Sequence, residues 1–179
     1  YSLELPSGER IFESRTLPLV EGQIFSMVRD ITGRKLAEEA LRESEERFRT
    51  IFENMAVPVA IIDTGGRWLQ VNQRYLDLLG YSFDELHAMK NTDVTHPDDL
   101  ELTRGYMKRL IEGESGHIRT EKRYIHRDGG IVWIDLSIAS LRDARGEIAF
   151  FLAVSQDITE RKQYELALAR NEELLRTVV

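Results

Sequence analysis

The side chains best suited to chemistry are few and scattered. His126-Arg127-Asp128 spells the start of a kinase catalytic loop, in which the aspartate would act as base. A Gly129-Gly130 turn and an apolar strand follow it. No asparagine stands at the required offset and no glycine-rich loop lies upstream, so the triplet reads as a hairpin turn. His87, His96, His117 and His126 are too widely spaced for a local metal motif and are expected on the solvated surface. Asp84-Glu85 and Asp98-Asp99 are carboxylate pairs, but each falls where a helix should begin, and acidic residues there complement its free N–H groups. No serine-nucleophile signature and no phosphate loop occurs. The chain has no cysteine, which removes disulfides, thiolate metal sites and thiol nucleophiles together. These residues do not assemble an enzyme; any catalysis is expected in a domain outside this chain.

Composition narrows the rest. The 179 residues are 42% hydrophobic and 31% charged, ordinary for a globular chain of one domain plus linkers. A net charge of -7 without clustered Lys and Arg argues against a nucleic-acid partner. No apolar run approaches the roughly 18–20 residues that span a bilayer. The cysteine-free composition suits a cytoplasmic location. The strand-like start at Tyr1 suggests a segment excised from a longer chain.

An internal repeat organises the sequence. Asp30-Ile31-Thr32-Gly33-Arg34-Lys35 recurs as Asp157-Ile158-Thr159-Glu160-Arg161-Lys162, and the match continues without gaps through Leu41/Leu168 to Thr50/Thr177. It extends backwards less regularly, aligning Ser7 to Glu13 with Asp128 to Ile134. Residues 1–33 therefore read as the last strands of an upstream copy, 34–50 as a linker helix and 51–159 as one complete copy. Residues 160–179 read as an output helix leading toward a further copy.

The elements follow from periodicity. Ala37, Leu41, Ser44, Phe48, Ile51 and Met55 step by four and three, the spacing of a coiled-coil seam, and predict a helix over 34–55. Tyr164, Leu168, Asn171, Leu175 and Val178 repeat that pattern. Thr32 and Thr159 are expected N-caps. Val59–Ile62 and Trp68–Val71 read as strands around the Asp63-Thr64-Gly65-Gly66 turn. Asn72 caps a helix stopped by Gly80, a short helix follows near Phe83–Met89, and Pro97 opens a longer one ending near Gly113. Strands are expected over 118–126, 131–141 and 148–156. In the second of these, Val132, Ile134, Leu136 and Ile138 share one face. The outcome is an α+β antiparallel sheet with helices on one face.

Several features converge on one family. They are Asn72 before Leu79-Gly80-Tyr81, then His96-Pro97-Asp98-Asp99, Arg127-Asp128-Gly129 before Val132-Trp133, Asp143 and Gly146 in the last turn, and the Asp157–Lys162 run. Together they resemble the PAS sensor family with its C-terminal PAC motif, over residues 46–162. The resemblance implies a five-stranded antiparallel sheet, homodimerisation through flanking helices and signal output through the helix after Asp157-Ile158-Thr159. It also implies a parent chain carrying a downstream effector, typically a sensor histidine kinase or a cyclic-dinucleotide enzyme such as a diguanylate cyclase, in a two-component or related system.

The resemblance also bears on cofactors. The flavin photoreceptor branch needs a reactive cysteine, which is absent here, so covalent flavin chemistry is excluded. The positions that hold the flavin ring correspond to Tyr124, Ile134 and Ser155, none of them an amide, which argues against flavin altogether. The haem branch takes its ligand from a histidine inside the long helix, and residues 97–112 contain none. An apolar pocket for a small metabolite remains, with Met107, Leu110, Tyr124, Ile134, Leu136, Ile138, Phe151, Ala153 and Ser155 as lining candidates and Tyr124 and Ser155 as polar handles. The same residues serve equally as plain core, in which case the domain is a dimerisation spacer. For the relay, Asp157, Ile158, Thr159 and Arg161 stand between the last strand and the output helix. The Asp157 carboxylate is expected to bind free helix N–H groups or to meet Arg161.

Overall fold

The computed structural model describes residues 2–5, 8–18 and 23–177, and it divides the chain into two compact units, Tyr1–Ile51 and Phe52–Val179. Side chains of residues 2–8 and 174–177 lie outside this description, as do Ser7 of the repeat and Leu175 and Val178 of the second seam.

The first unit holds an antiparallel meander of β1 (Ser2–Leu5), β2 (Gly8–Pro18) and β3 (Ile24–Asp30). Helix α1 (Thr32–Asn54) follows and runs into the second unit. The backward alignment of the repeat shifts by one residue. Ile11, rather than Phe12, corresponds to Trp133, because Ile11 N–H donates to Thr32 Oγ1 at 2.9 Å and Ile31 N–H donates to Ile11 O at 2.9 Å. Thr32 is not the N-cap expected: it is already helical, and its hydroxyl faces Ile11 and Asp30. Leu41, Phe48 and Ile51 on α1 are about half exposed or more.

The second unit is built on β4 (Val59–Ile62), β5 (Trp68–Val71), β6 (His117–Ile125), β7 (Ile131–Arg142) and β8 (Ile148–Asp157). They form one antiparallel sheet in the order β5-β4-β8-β7-β6. Helices α2 (Gln73–Leu79), α3 (Phe83–His87) and α4 (Leu100–Ile111) occupy the excursion between β5 and β6, and α5 (Thr159–Thr177) leaves after β8. Pro97 opens a single 3-10 turn, Pro97–Asp99, that runs straight into α4. No described helix is long and apolar enough to cross a membrane.

Two residues set the excursion. Asn72 is fully buried and caps α2: its Oδ1 accepts Tyr75 N–H at 3.1 Å and Val59 N–H at 3.0 Å. Its Nδ2 donates to Phe52 O and Val57 O, so one side chain binds the end of α1, the start of β4 and the start of α2. Gly80 ends α2 at φ 75°, a left-handed conformation, where an added Cβ would run into the His126 ring. The alternation along β7 then packs Ile134, Leu136 and Ile138 against Tyr75, Leu79, Tyr106, Leu110, Tyr124 and Phe151 in a single core.

Candidate functional site

Strand β6 carries the chemistry. Its residues alternate, so Lys122 and Tyr124 point into the core while Glu121 and Arg123 point out. Lys122 is 1% exposed. Its Nζ donates to Thr95 Oγ1 at 3.0 Å, Tyr106 Oη at 3.1 Å and Thr103 Oγ1 at 3.3 Å. It also stands 4.5 Å from the Tyr124 ring centroid. The local fold delivers these partners from separate segments. The stretch before the 3-10 turn bridges to β6 through Ile125 N–H to Val94 O and His96 N–H to Arg123 O, which sets Thr95 beside the lysine. Thr103 and Tyr106, three residues apart on α4, share the face turned to the sheet. Burial lowers the Lys122 pKa to about 7, opposed only by the Asp99 charge.

A second polar group adjoins it. Tyr75 Oη donates to Tyr124 Oη at 3.1 Å, and burial pushes both phenols upward. Among the described residues, the buried Ser155 Oγ beside Tyr75 and the Trp68 Nε1 complete no hydrogen bond of normal geometry.

The outer face of β6 grips two other elements. Arg123 forms a bidentate pair with Asp99, with Nη2–Oδ1 at 2.7 Å and Nε–Oδ2 at 3.0 Å, which holds the Asp99 carboxyl below its usual range. Glu121 binds Lys162 Nζ and Arg161 Nη2 of α5, both at 2.6 Å, and Lys162 first and Arg161 second lower its pKa. Trp133 has the charged groups of Arg123 and Lys162 at 5.2 and 5.4 Å from its ring centroid. Its backbone accepts from Ile158 N–H and donates to Thr159 Oγ1, both at 2.9 Å.

The four residues expected to form the relay lie together where β8 runs into α5, and Asp157 takes one of its two expected partners, a backbone N–H at the helix start. Asp157 Oδ1 accepts Thr159 N–H at 2.8 Å. Thr159 is not the N-cap expected, since its hydroxyl faces β7. Arg161 reaches Glu121 and Glu165 rather than Asp157. Asp99 stands at the N-cap of α4, but its side chain makes no capping hydrogen bond, because Arg123 occupies its carboxylate. His96 and His126 are half-buried rather than fully solvated, while His87 and His117 are exposed. Among the described residues no group of His, Asp and Glu is placed to hold a metal.

The nine lining candidates all lie in one region between the helices and the sheet. Leu110, Tyr124, Ile134, Leu136, Ile138, Phe151, Ala153 and Ser155 are buried there, and Met107 packs partly buried against them. Lys122, Thr95, Thr103 and Glu121 escaped the sequence reading. One signal pointed to Lys122: it shares strand parity with Tyr124 and pairs across the ladder with Ile134, a core position.

A family model described as PAS fold matches residues 52–163. A probable diguanylate cyclase of Escherichia coli K12, DgcE, is 37% identical over 125 residues, covering 70% of this chain and 11% of that protein. The sensor histidine kinase TmoS of Ectopseudomonas mendocina is 26% identical over 129 residues, covering 72% of this chain and 13% of its own. The chain thus spans about a tenth of the length of these relatives. Among solved structures, the PAS domain of an HTR-like protein from Haloarcula marismortui is 28% identical with a TM-score of 0.58, covering 69% of this chain and 99% of that one.

Proposed function

The chain belongs to the PAS-fold family, and on that premise we propose that residues 51–159 are the non-catalytic sensory segment of a longer signalling protein, with α5 as its output. The observation that carries this reading is the double grip on α5. Glu121 holds Arg161 and Lys162, while Trp133 holds the backbone of Ile158 and the hydroxyl of Thr159. Strain therefore reaches the first turn of α5 from β6 through short ion pairs and from β7 through hydrogen bonds. The effector at the far end is a histidine kinase or a cyclic-dinucleotide enzyme, as in the relatives. Location in the cytoplasm belongs to the same proposal and stands on the cysteine-free composition.

Homodimerisation through the flanking helices completes the proposal. Tyr164 and Leu168 on α5 are 69% and 63% exposed, and such a stripe is buried by pairing with a second copy. The native chain lacks cysteine, so Arg170→Cys takes a single spin label. The expected result is a dimer with one interlabel distance that changes in Glu121→Gln. A monomer at high micromolar concentration would refute it.

A second reading has its own support. The lining candidates already fill the region between helices and sheet as close-packed side chains, which suits a spacer that binds nothing small. Native mass spectrometry separates the two: a retained small molecule favours the sensor, and a bare dimer favours the spacer.

A further inference from the structure

We propose that Lys122 is a proton-binding site, and that gain or loss of its proton adjusts the hold of β6 on α5.

The geometry argues for the proton in particular. A buried ammonium is costly unless an anion faces it. None does. Three hydroxyls surround Nζ, and the one carboxylate near enough to matter, Asp99, is bound bidentately by Arg123. Hydroxyls both donate and accept. A charged Lys122 gives its three protons to three oxygens. A neutral Lys122 keeps two donors and uses its lone pair to accept from Tyr106 or Thr103 after rotation of a single O–H. Thr95 remains an acceptor in both states, because its own proton goes to Asn91 O at 2.7 Å. In each state Nζ keeps three hydroxyl partners, so the charge changes without loss of these contacts. The lowered pKa described above places that change in the neutral range.

The surroundings offer little competition. From α4 face Thr103 and Tyr106, from α2 Tyr75, from β6 itself Tyr124, and from the 3-10 turn Asp99. All three phenols are raised by burial and stay neutral over this range. His96 adjoins Thr95, but its ring turns to Asp98. Coupling outward follows from strand geometry. Glu121 and Arg123 are the covalent neighbours of Lys122 on β6, and they hold α5 and Asp99 respectively. This second half rests on the relay reading above.

Two labels test the halves separately. The full chain is prepared with lysine labelled at the ε-carbon with carbon-13 and with 5-fluorotryptophan, and NMR spectra are followed from acid to alkaline pH. Lys122→Met assigns the lysine signal, and Trp68→Phe isolates Trp133. The expected result is a Lys122 signal that titrates near neutrality. The Trp133 fluorine signal moves over the same range in wild type and stays flat in Lys122→Met. If Lys122→Met fails to fold, Tyr106→Phe serves instead: it removes an acceptor from the charged form and lowers the midpoint. A Lys122 that remains charged throughout overturns the site. A Lys122 signal that shifts with added acetate at constant pH overturns the proton as ligand in favour of an anion. A Trp133 signal that responds to Glu121→Gln but not to pH overturns the coupling alone. One that responds to neither removes the relay reading as well.

Discussion

Replacing Lys122 by Met should change how stability depends on pH, and the sign and size of that change follow from its burial. In the unfolded chain the amine titrates at its ordinary 10.5, and in the folded chain at about 7. Below pH 7 both states are protonated, and the folded state carries the full cost of a desolvated ammonium. Between the two values the unfolded chain holds a proton that the folded chain lacks, so stability rises with pH by about 1.4 kcal/mol per unit. The gain is complete above 10.5 and is lost as pH falls through 7. Over that gap it amounts to about 5 kcal/mol, a large share of a domain's stability. The buried phenols have raised pKa values and act in the opposite sense above about pH 10, so the informative window ends near pH 9.5. Within it the wild type should gain up to about 3 kcal/mol. Lys122→Met carries no titrating group there and should be flat. It also strands the Thr103 and Tyr106 hydroxyls, at about 1–3 kcal/mol. The variant is thus the more stable protein at pH 6, and its advantage shrinks or reverses by pH 9. Urea unfolding at closely spaced pH values, followed by tryptophan fluorescence, measures both curves. A flat wild-type profile, or a slope that survives in Lys122→Met, would refute the argument.

Other substitutions probe neighbouring parts. Asn72→Ala removes a cap and strands backbone groups at three junctions, so urea unfolding should show a loss of about 3–5 kcal/mol. Gly80→Ala forces a side chain into left-handed backbone against the His126 ring, and a loss of about 2 kcal/mol is expected in the same assay. Asp99→Asn removes the one charge that raises the Lys122 pKa, so the carbon-13 midpoint of Lys122 should move down. Glu121→Gln weakens the attachment of α5, and amide exchange at Glu160–Lys162 should quicken while exchange in β7 stays unchanged.

How much of this was legible before folding differs from residue to residue. Asn72 and Gly80 announce their helix because capping is decided within a few residues by side-chain length and backbone freedom. The alternation from Val132 to Ile138 marks a half-buried strand because its period is set by the pleat. The Asp-Ile-Thr run was visible twice, and both copies make the same bonds to a strand: Thr32 to Ile11, and Thr159 to Trp133. The sequence placed those threonines as caps because a cap is the local option, whereas the partner strand lies 21 or 26 residues away.

The sequence alone determined the local elements, the order of the strands along the chain and the family, since each depends on periodicity or on a short contiguous motif. Tertiary structure decided which polar side chains meet. Lys122 draws its partners from positions 95, 103 and 106, and Glu121 draws Arg161 from 40 residues downstream. A lysine on a strand is ordinarily solvated, and strand parity with Tyr124 marks only the face on which Lys122 lies, not its loss of water. Only the packing of α4 and the preceding loop across β6 removes its water and supplies hydroxyls in exchange. That desolvation, which no local pattern encodes, is what moves the Lys122 pKa to about 7.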